Sequence, residues 1–255
     1  MMTNEDIIYE AMRQSAVDLG ANIEDFTKDE NVIVKSVNNK NARAYLTLPF
    51  DIDLVTYGNN VVASVSDECY DIAKEYVEKY MLSDIFSTPK INVLNEKLSP
   101  LDLEVCFMAE YFLPDMRALE KKETKYELRL MEKGEFDEFY NDMDTWSNAI
   151  INGKRDVLLL GAYDKGKPIG LAGASQDGDN MWQIGIDVLP DYRRQGVASS
   201  LTSNLAVAIL ERNKVPFYCC AWSNIRSFRN AISSGFRPAW SEMTIKSKEF
   251  TAKMK

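Results

Sequence analysis

Val188-Leu189-Pro190-Asp191-Tyr192-Arg193-Arg194-Gln195-Gly196-Val197-Ala198 joins an apolar run, Met181 to Val188, to a long amphipathic segment that starts at Gly196. Pro190 sets a turn between them. A turn that opens onto a helix N-terminus is a ready anion site. The first N–H groups of the helix lack an internal acceptor, and the helix dipole adds partial positive charge there. Gly196 and Ala198 keep side-chain bulk away from whatever approaches the backbone. Arg193 and Arg194 add cationic donors suited to phosphate oxygens. The stretch reads as a pyrophosphate cradle between a strand and a helix.

The elements around it extend the pattern. Tyr126 to Met131 alternates polar and apolar residues as a half-buried strand does. Glu135 to Ile151 is helical in composition, with Phe136, Phe139, Tyr140, Met143, Trp146 and Ile150 at near-helical spacing. Val157 to Tyr163, Pro168 to Ser175 and Met181 to Val188 read as strands joined at Asp164-Lys165-Gly166 and at Gln176-Asp177-Gly178-Asp179. The helix after the cradle carries Val197, Leu201, Leu205 and Ile209 on one stripe, which should face a sheet. A short apolar strand follows at Pro216 to Ala221. Asn224, Ser227 and a second helix closing on Gly235-Phe236 come next, then a strand from Trp240 to Lys246.

The N-terminal portion carries no motif with a chemical reading. Thr3 is an N-cap for a helix whose stripe is Ile8, Met12, Ala16 and Leu19 and which stops at Gly20. Asn31 to Ser36, Arg43 to Leu48, Leu54 to Tyr57 and Val61 to Val65 read as strands. Ser66 is the expected cap of a helix through Met81. A short helix near Val93 to Lys97 and a strand from Leu103 to Phe112 complete this half. The mixed-sign run Glu120 to Lys125 reads as a linker, which divides the chain into an α+β domain at 1–118 and a second domain at 119–255.

Arg193-x-x-Gly196-x-Ala198, with the helix, strand, Asn224 and Gly235-Phe236 in that order, resembles the GNAT acetyltransferase superfamily. The resemblance implies an α+β chain whose C-terminal half has the GNAT fold, a mixed and mostly antiparallel central sheet flanked by helices. A mixed α+β domain ahead of such a unit resembles a bacterial group that includes the zwittermicin A resistance acetyltransferase. The implied co-substrate is acetyl-CoA, and the implied reaction is direct acetyl transfer to a primary amine of a small molecule. By resemblance, Arg193, Arg194, Gln195, Gly196, Val197, Ala198 and Ser199 hold the pyrophosphate. Ile186, Asp187 and Val188 run beside the pantetheine like an added strand, and Asn224 bonds that arm with Ser227 nearby.

Catalytic roles stay open. The Val188 N–H is a candidate oxyanion donor. The tyrosine that many family members place seven residues after the Asn is replaced by Ala231, so the usual acid for the departing thiolate is missing. Asp187 and Cys219 are weak candidates for proton transfer, and Tyr192, Glu110 and Tyr111 weaker still. The second reading is a GNAT fold that retains acyl-CoA and senses it without turnover, and the third is an α/β domain with no CoA site.

Composition narrows the chemistry further. The chain of 255 residues has no histidine, which excludes imidazole as base, nucleophile partner or ligand. Cys69, Cys106, Cys219 and Cys220 show neither a disulfide framework nor zinc-ligand spacing, so no metal site is expected. Net charge is −9 with no basic stripe, which argues against nucleic acid as a partner. With neither a membrane-length apolar run nor a signal-peptide pattern, the expectation is a cytoplasmic protein without a membrane partner. Oligomeric state is left open, a homodimer included.

Overall fold

The computed structural model describes residues 2–151 and 153–254. Its helices are α1 (Asn4–Leu19), α2 (Tyr70–Lys79), α3 (Leu82–Ile85), α4 (Thr88–Leu98), α5 (Val197–Leu210), α6 (Ile225–Ser233) and α7 (Lys248–Lys253). The first four strands are β1 (Val32–Lys35), β2 (Ile52–Thr56), β3 (Val62–Val65) and β4 (Leu103–Pro114). They are followed by β5 (Glu127–Glu132), β6 (Asp156–Asp164), β7 (Lys167–Gln176), β8 (Met181–Val188), β9 (Val215–Cys220) and β10 (Phe236–Ser247). The chain forms two compact units, each discontinuous in sequence. One comprises 1–11 with 112–238, the other 12–111 with 239–255. The chain therefore passes between units inside α1, β4 and β10, whereas the expected boundary was a single one at 118.

In the unit built on 112–238, strands run in the order β9-β8-β7-β6-β5. The β5–β6, β6–β7 and β7–β8 pairs are antiparallel and β8–β9 is parallel, the mixed sheet implied by the family resemblance. The hairpin turn after β6 places Lys165 and Gly166 at φ 51° and 79°. The expected stripe of α5 is buried, with Val197, Leu201, Leu205 and Ile209 in one core with Leu158, Leu160, Ala172 and Ile184.

Residues 135–151 correct the expectation of an α-helix. Only a 3-10 helix, Asp137–Asp142, forms there, and turns follow. The apolar residues are buried as the spacing implies, Phe136, Phe139, Trp146 and Ile150 packing with Leu159 and Leu171. The backbone hydrogen bonds go elsewhere. The Asp187 carboxylate accepts from the N–H groups of Asn148 (2.8 Å) and Ala149 (2.9 Å), and Asp156 accepts from Ile151 N–H (2.9 Å). Glycines make this approach possible. A Cβ on Gly173 would lie 1.7 Å from the Ala149 carbonyl oxygen, and one on Gly185 would lie 1.8 Å from that of Asn148.

In the other unit the order is β1-β3-β2-β10-β4, with β1 parallel to β3 and β2 antiparallel to both β3 and β10. One sheet face carries Ile52, Leu54, Met243 and Ile245 against Ala73, Val77, Leu94 and Leu98 of α2 and α4. Ser66 makes no side-chain cap, and a 3-10 turn, Asp67–Cys69, leads into α2 instead. The opposite face buries charged groups beside Val55 and Val62. Asp18 of α1, Arg43, Asp53 of β2 and Glu242 of β10 are all buried. Arg43 Nε donates to Asp18 Oδ2 at 2.5 Å and Nη2 to Glu242 Oε2 at 2.7 Å. Its guanidinium lies 5.3–5.7 Å from the ring centres of Tyr45, Tyr111 and Trp240. The expected strand Arg43 to Leu48 is irregular because Arg43 is held by groups off the sheet ladder, its own N–H donating to Asp18 Oδ1 at 2.8 Å.

Asp53 has no hydrogen-bond partner for either carboxylate oxygen. Its cross-strand neighbours are Thr244 and Ser64, and Glu242 stands one diagonal step away on the same face. Burial first, and then the negative charge of Glu242, push its pKa well above the usual carboxylate range, while Arg43 opposes the rise. The folded state thus keeps a proton that the unfolded chain releases above about pH 4. Stability should fall as pH rises from there toward the elevated folded pKa, with a slope of up to about 1.4 kcal/mol per pH unit. Asp53→Asn should flatten this slope and stabilise the protein at pH 8. Urea titrations across pH test it, and identical slopes for the two proteins would refute it.

Candidate functional site

β8 and β9 pair only over Met181–Gln183 and Val215–Phe217 among the described residues. Backbone polarity past that point follows from strand alternation. Val215 N–H donates to Asn180 O at 2.7 Å on the β9 side, and Leu189 N–H donates to Ile169 O at 2.9 Å on the β7 side. Even-numbered residues of β8 therefore aim their backbone groups toward β9. Beyond the paired stretch this leaves the Ile186 and Val188 amides on an open edge. Arg193 Nε occupies one acceptor there, bonding the Val188 carbonyl at 2.9 Å.

The turn after β8 is built as its sequence implies. A 3-10 turn covers Pro190–Tyr192, Arg194 stands at φ 60° and Gly196, the N-cap of α5, at φ 80°. A glycine is the natural occupant of position 196 because its backbone is left-handed. The first backbone bond of α5 runs from Ser200 N–H to Gly196 O at 3.0 Å, so the N–H groups of Val197, Ala198 and Ser199 precede any helical acceptor. Side chains brace the turn from outside. Tyr126 donates to Gln195 Oε1 (2.8 Å), Gln195 Nε2 to Asp191 O (2.9 Å) and Tyr192 to Asp164 Oδ2 (3.1 Å). Tyr192 thus packs the turn, and its hydrogen bond to Asp164 raises its pKa.

Three expected site residues have hydrogen-bond partners within the protein. Asp187, an odd-numbered position, turns its backbone to β7, and its carboxylate anchors 148–149 through three hydrogen bonds, Asn148 Nδ2 included at 2.7 Å. That network keeps it from the open edge beside Ile186 and Val188. Cys219, two residues past the paired part of β9, receives a hydrogen bond from Gln183 Nε2 at 3.2 Å. Asn224 is the N-cap of α6, its Oδ1 accepting from Ser227 N–H at 3.2 Å. That bond holds Asn224 and Ser227 together in one turn. Ala231 is fully buried against α5, and Asn230 Nδ2 bonds Thr202 Oγ1 at 2.9 Å, fixing α6 on α5. The buried Tyr218 hydroxyl, raised in pKa chiefly by desolvation, was absent from the sequence reading because an apolar strand gives no sign of it.

An open strand edge that ends at a ring of unsatisfied amides can receive an extended amide-containing arm with an anionic terminus. Residues 116–229, a little under half of the chain, match the model of the acetyltransferase (GNAT) family. The family uses acetyl-CoA. Solved structures with related architecture include a GCN5-related N-acetyltransferase-like protein from Streptococcus suis 89/1591 (15% identity, TM-score 0.45, 61% of this chain and 66% of that one). Others are a GCN5-related N-acetyltransferase from Kribbella flavida (12%, 0.46, 63% and 64%) and a GNAT-family acetyltransferase from Colwellia psychrerythraea (14%, 0.44, 80% and 84%). The chain thus spans just under two thirds of the length of the first two. No curated protein matches it. No helix among the described residues is long and apolar enough to cross a membrane.

Proposed function

We propose that this domain transfers an acetyl group from acetyl-CoA to a primary amine of a small molecule, in the cytoplasm, by direct attack. The observation that carries the reading is the open Ile186–Val188 edge running into the amide-rich turn at Arg194–Ser199. Ile186 and Val188 would pair with the pantetheine amides, and the N–H groups of Gln195 through Ser199 with Arg194 would take the pyrophosphate. Asn224 and Ser227 would face the arm from the first turn of α6. The bound thioester supplies a carbonyl open to a neutral amine. The Val188 N–H would donate to its oxygen as negative charge develops, a role worth about 3 kcal/mol in comparable sites. Proton transfer is left to solvent, since the Asp187 carboxylate is engaged with 148–149 and Ala231 offers no acid. A thiolate with a solution pKa of about 8.5 departs without strong help near neutrality. The four cysteines are free thiols, which suits a reducing compartment.

The buried Ala231 also favours a second reading, a domain that binds acyl-CoA without turnover. Acetyl-CoA and desulfo-CoA, but not ATP, should raise the melting temperature, because a ligand at a hundred times its Kd stabilises by about 2.7 kcal/mol. Gly196→Val, which forces a β-branched residue to positive φ, should remove the response. An amine panel then separates enzyme from sensor. Absence of any CoA-dependent shift would sink both readings.

A further inference from the structure

Asp53 is satisfied by the protein in neither protonation state. Both its oxygens are buried without a hydrogen-bond partner, so the carboxylate lacks a donor and the acid form lacks an acceptor. Burial of that kind is costly, and native proteins complete such groups with an ordered water or an ion. The neighbouring side chains decide between the two.

Ser64 and Thr244 stand directly opposite Asp53 on the two adjacent strands, and Glu242 lies two residues from Thr244. All four side chains therefore share one sheet face, and none is more than 4% exposed. The Ser64 hydroxyl donates to Leu19 O at 2.8 Å, which leaves its lone pairs free. The Thr244 hydroxyl is paired with Cys106 Sγ at 3.2 Å. Glu242 accepts from Arg43 Nη2 (2.7 Å) and Trp240 Nε1 (3.4 Å) through Oε2 alone, and its Oε1 is buried without a partner. The face thus offers buried oxygen lone pairs and few donors, which is the ligand set of a hard cation. Charge agrees, because the carboxyls of Asp18, Asp53 and Glu242 surround one guanidinium, that of Arg43. A water would supply donors without the missing charge. Among the described residues no three His, Cys, Asp or Glu side chains stand together as metal ligands. Two carboxylates with neutral oxygens suit a monovalent ion better than a divalent one.

We infer that Asp53 and Glu242, with the hydroxyls of Ser64 and Thr244, bind a monovalent metal cation of the sodium–potassium class on the buried face of β2, β3 and β10. The ion takes the place of the proton that Asp53 otherwise keeps. It ties β2 to β10, strands from opposite ends of the sequence, and makes the stability of this unit depend on the salt present. The site is independent of the donor-binding reading above.

Thermal unfolding of the full chain at pH 8 tests it, in potassium, sodium and tetramethylammonium chlorides at one ionic strength. Potassium or sodium should raise the melting temperature saturably, by about 3 °C or more over tetramethylammonium, which is too large for a closed site. Asp53→Asn should abolish the difference. Thr244→Val removes one neutral oxygen and keeps the side-chain shape, so it should weaken the response severalfold and keeps the test decisive if Asp53→Asn does not fold. Thallium(I), a potassium-sized anomalous scatterer, should give a peak beside Asp53 in crystals of the natural protein. Equal melting temperatures in the three salts would overturn the proposal and leave a water or a proton at Asp53. A response that survives undiminished in the variants would overturn it too, because the ion would then act elsewhere, and so would a thallium peak found only away from Asp53.

Discussion

Gly185→Ala should destabilise the protein by about 3 kcal/mol or more, the upper range for overpacking a rigid site. The added Cβ would sit 1.8 Å from the Asn148 carbonyl oxygen and 2.8 Å from its carbon, so no side-chain rotation relieves the clash. The backbone of 148–149 would have to lift from the sheet. That movement breaks the two amide bonds to Asp187 and withdraws Trp146 and Ile150 from their core. Gly173→Ala should act through Ala149 in the same way. Gly166→Ala is the control. Its φ of 79° makes alanine strained, yet nothing lies within 4 Å of the new Cβ, so the cost should stay near 1 kcal/mol. Chemical denaturation of the three variants measures the contrast. Similar losses at 166 and 185 would show that 148–149 yields easily and that the close approach carries little weight.

Arg43→Ala should be at least as damaging, by about 3–5 kcal/mol, because it leaves the carboxylates of Asp18 and Glu242 buried without their cation. Lost stacking against Tyr111 and Trp240 adds to the effect. Arg43→Lys should recover only part of it, since an ammonium cannot bond Asp18 and Glu242 along two directions of a fork. Urea titrations of the natural protein and the two variants give the comparison. An Arg43→Lys variant as stable as the natural protein would mean that a single positive charge, rather than the guanidinium fork and its packing, accounts for the role of Arg43.

These two positions show where sequence stops being informative. The turn before α5 was legible because its determinants are local: Pro190, a glycine at a left-handed position and a buried stripe beginning one residue later. The hairpins through Lys165-Gly166 and the strands beside them were legible for the same reason. Residues 135–151 were misread because apolar spacing fixes which side chains are buried without fixing the backbone that carries them. The deciding contacts come from Asp187, Gly173 and Gly185. Arg43 looked like the start of a strand, since nothing near it in sequence reveals partners 25 and 199 residues away. In the candidate site the anion-binding turn could be read from its residue types. The state of Asp187 could not, because a strand carboxylate looks the same whether it faces a ligand or caps a neighbouring loop.

The distance between Arg43 and Glu242 also bears on how the molecule is made. Translation delivers Asp18, Arg43 and Asp53 early, and the ribosome must then add nearly two hundred residues before Glu242 and Trp240 emerge. Until β10 leaves the exit tunnel, the early unit holds a guanidinium short of one carboxylate and a sheet short of a strand, so it cannot mature during synthesis. A nascent chain stalled before residue 239 should therefore be a client for chaperones and proteases along its whole N-terminal third, far from the missing segment.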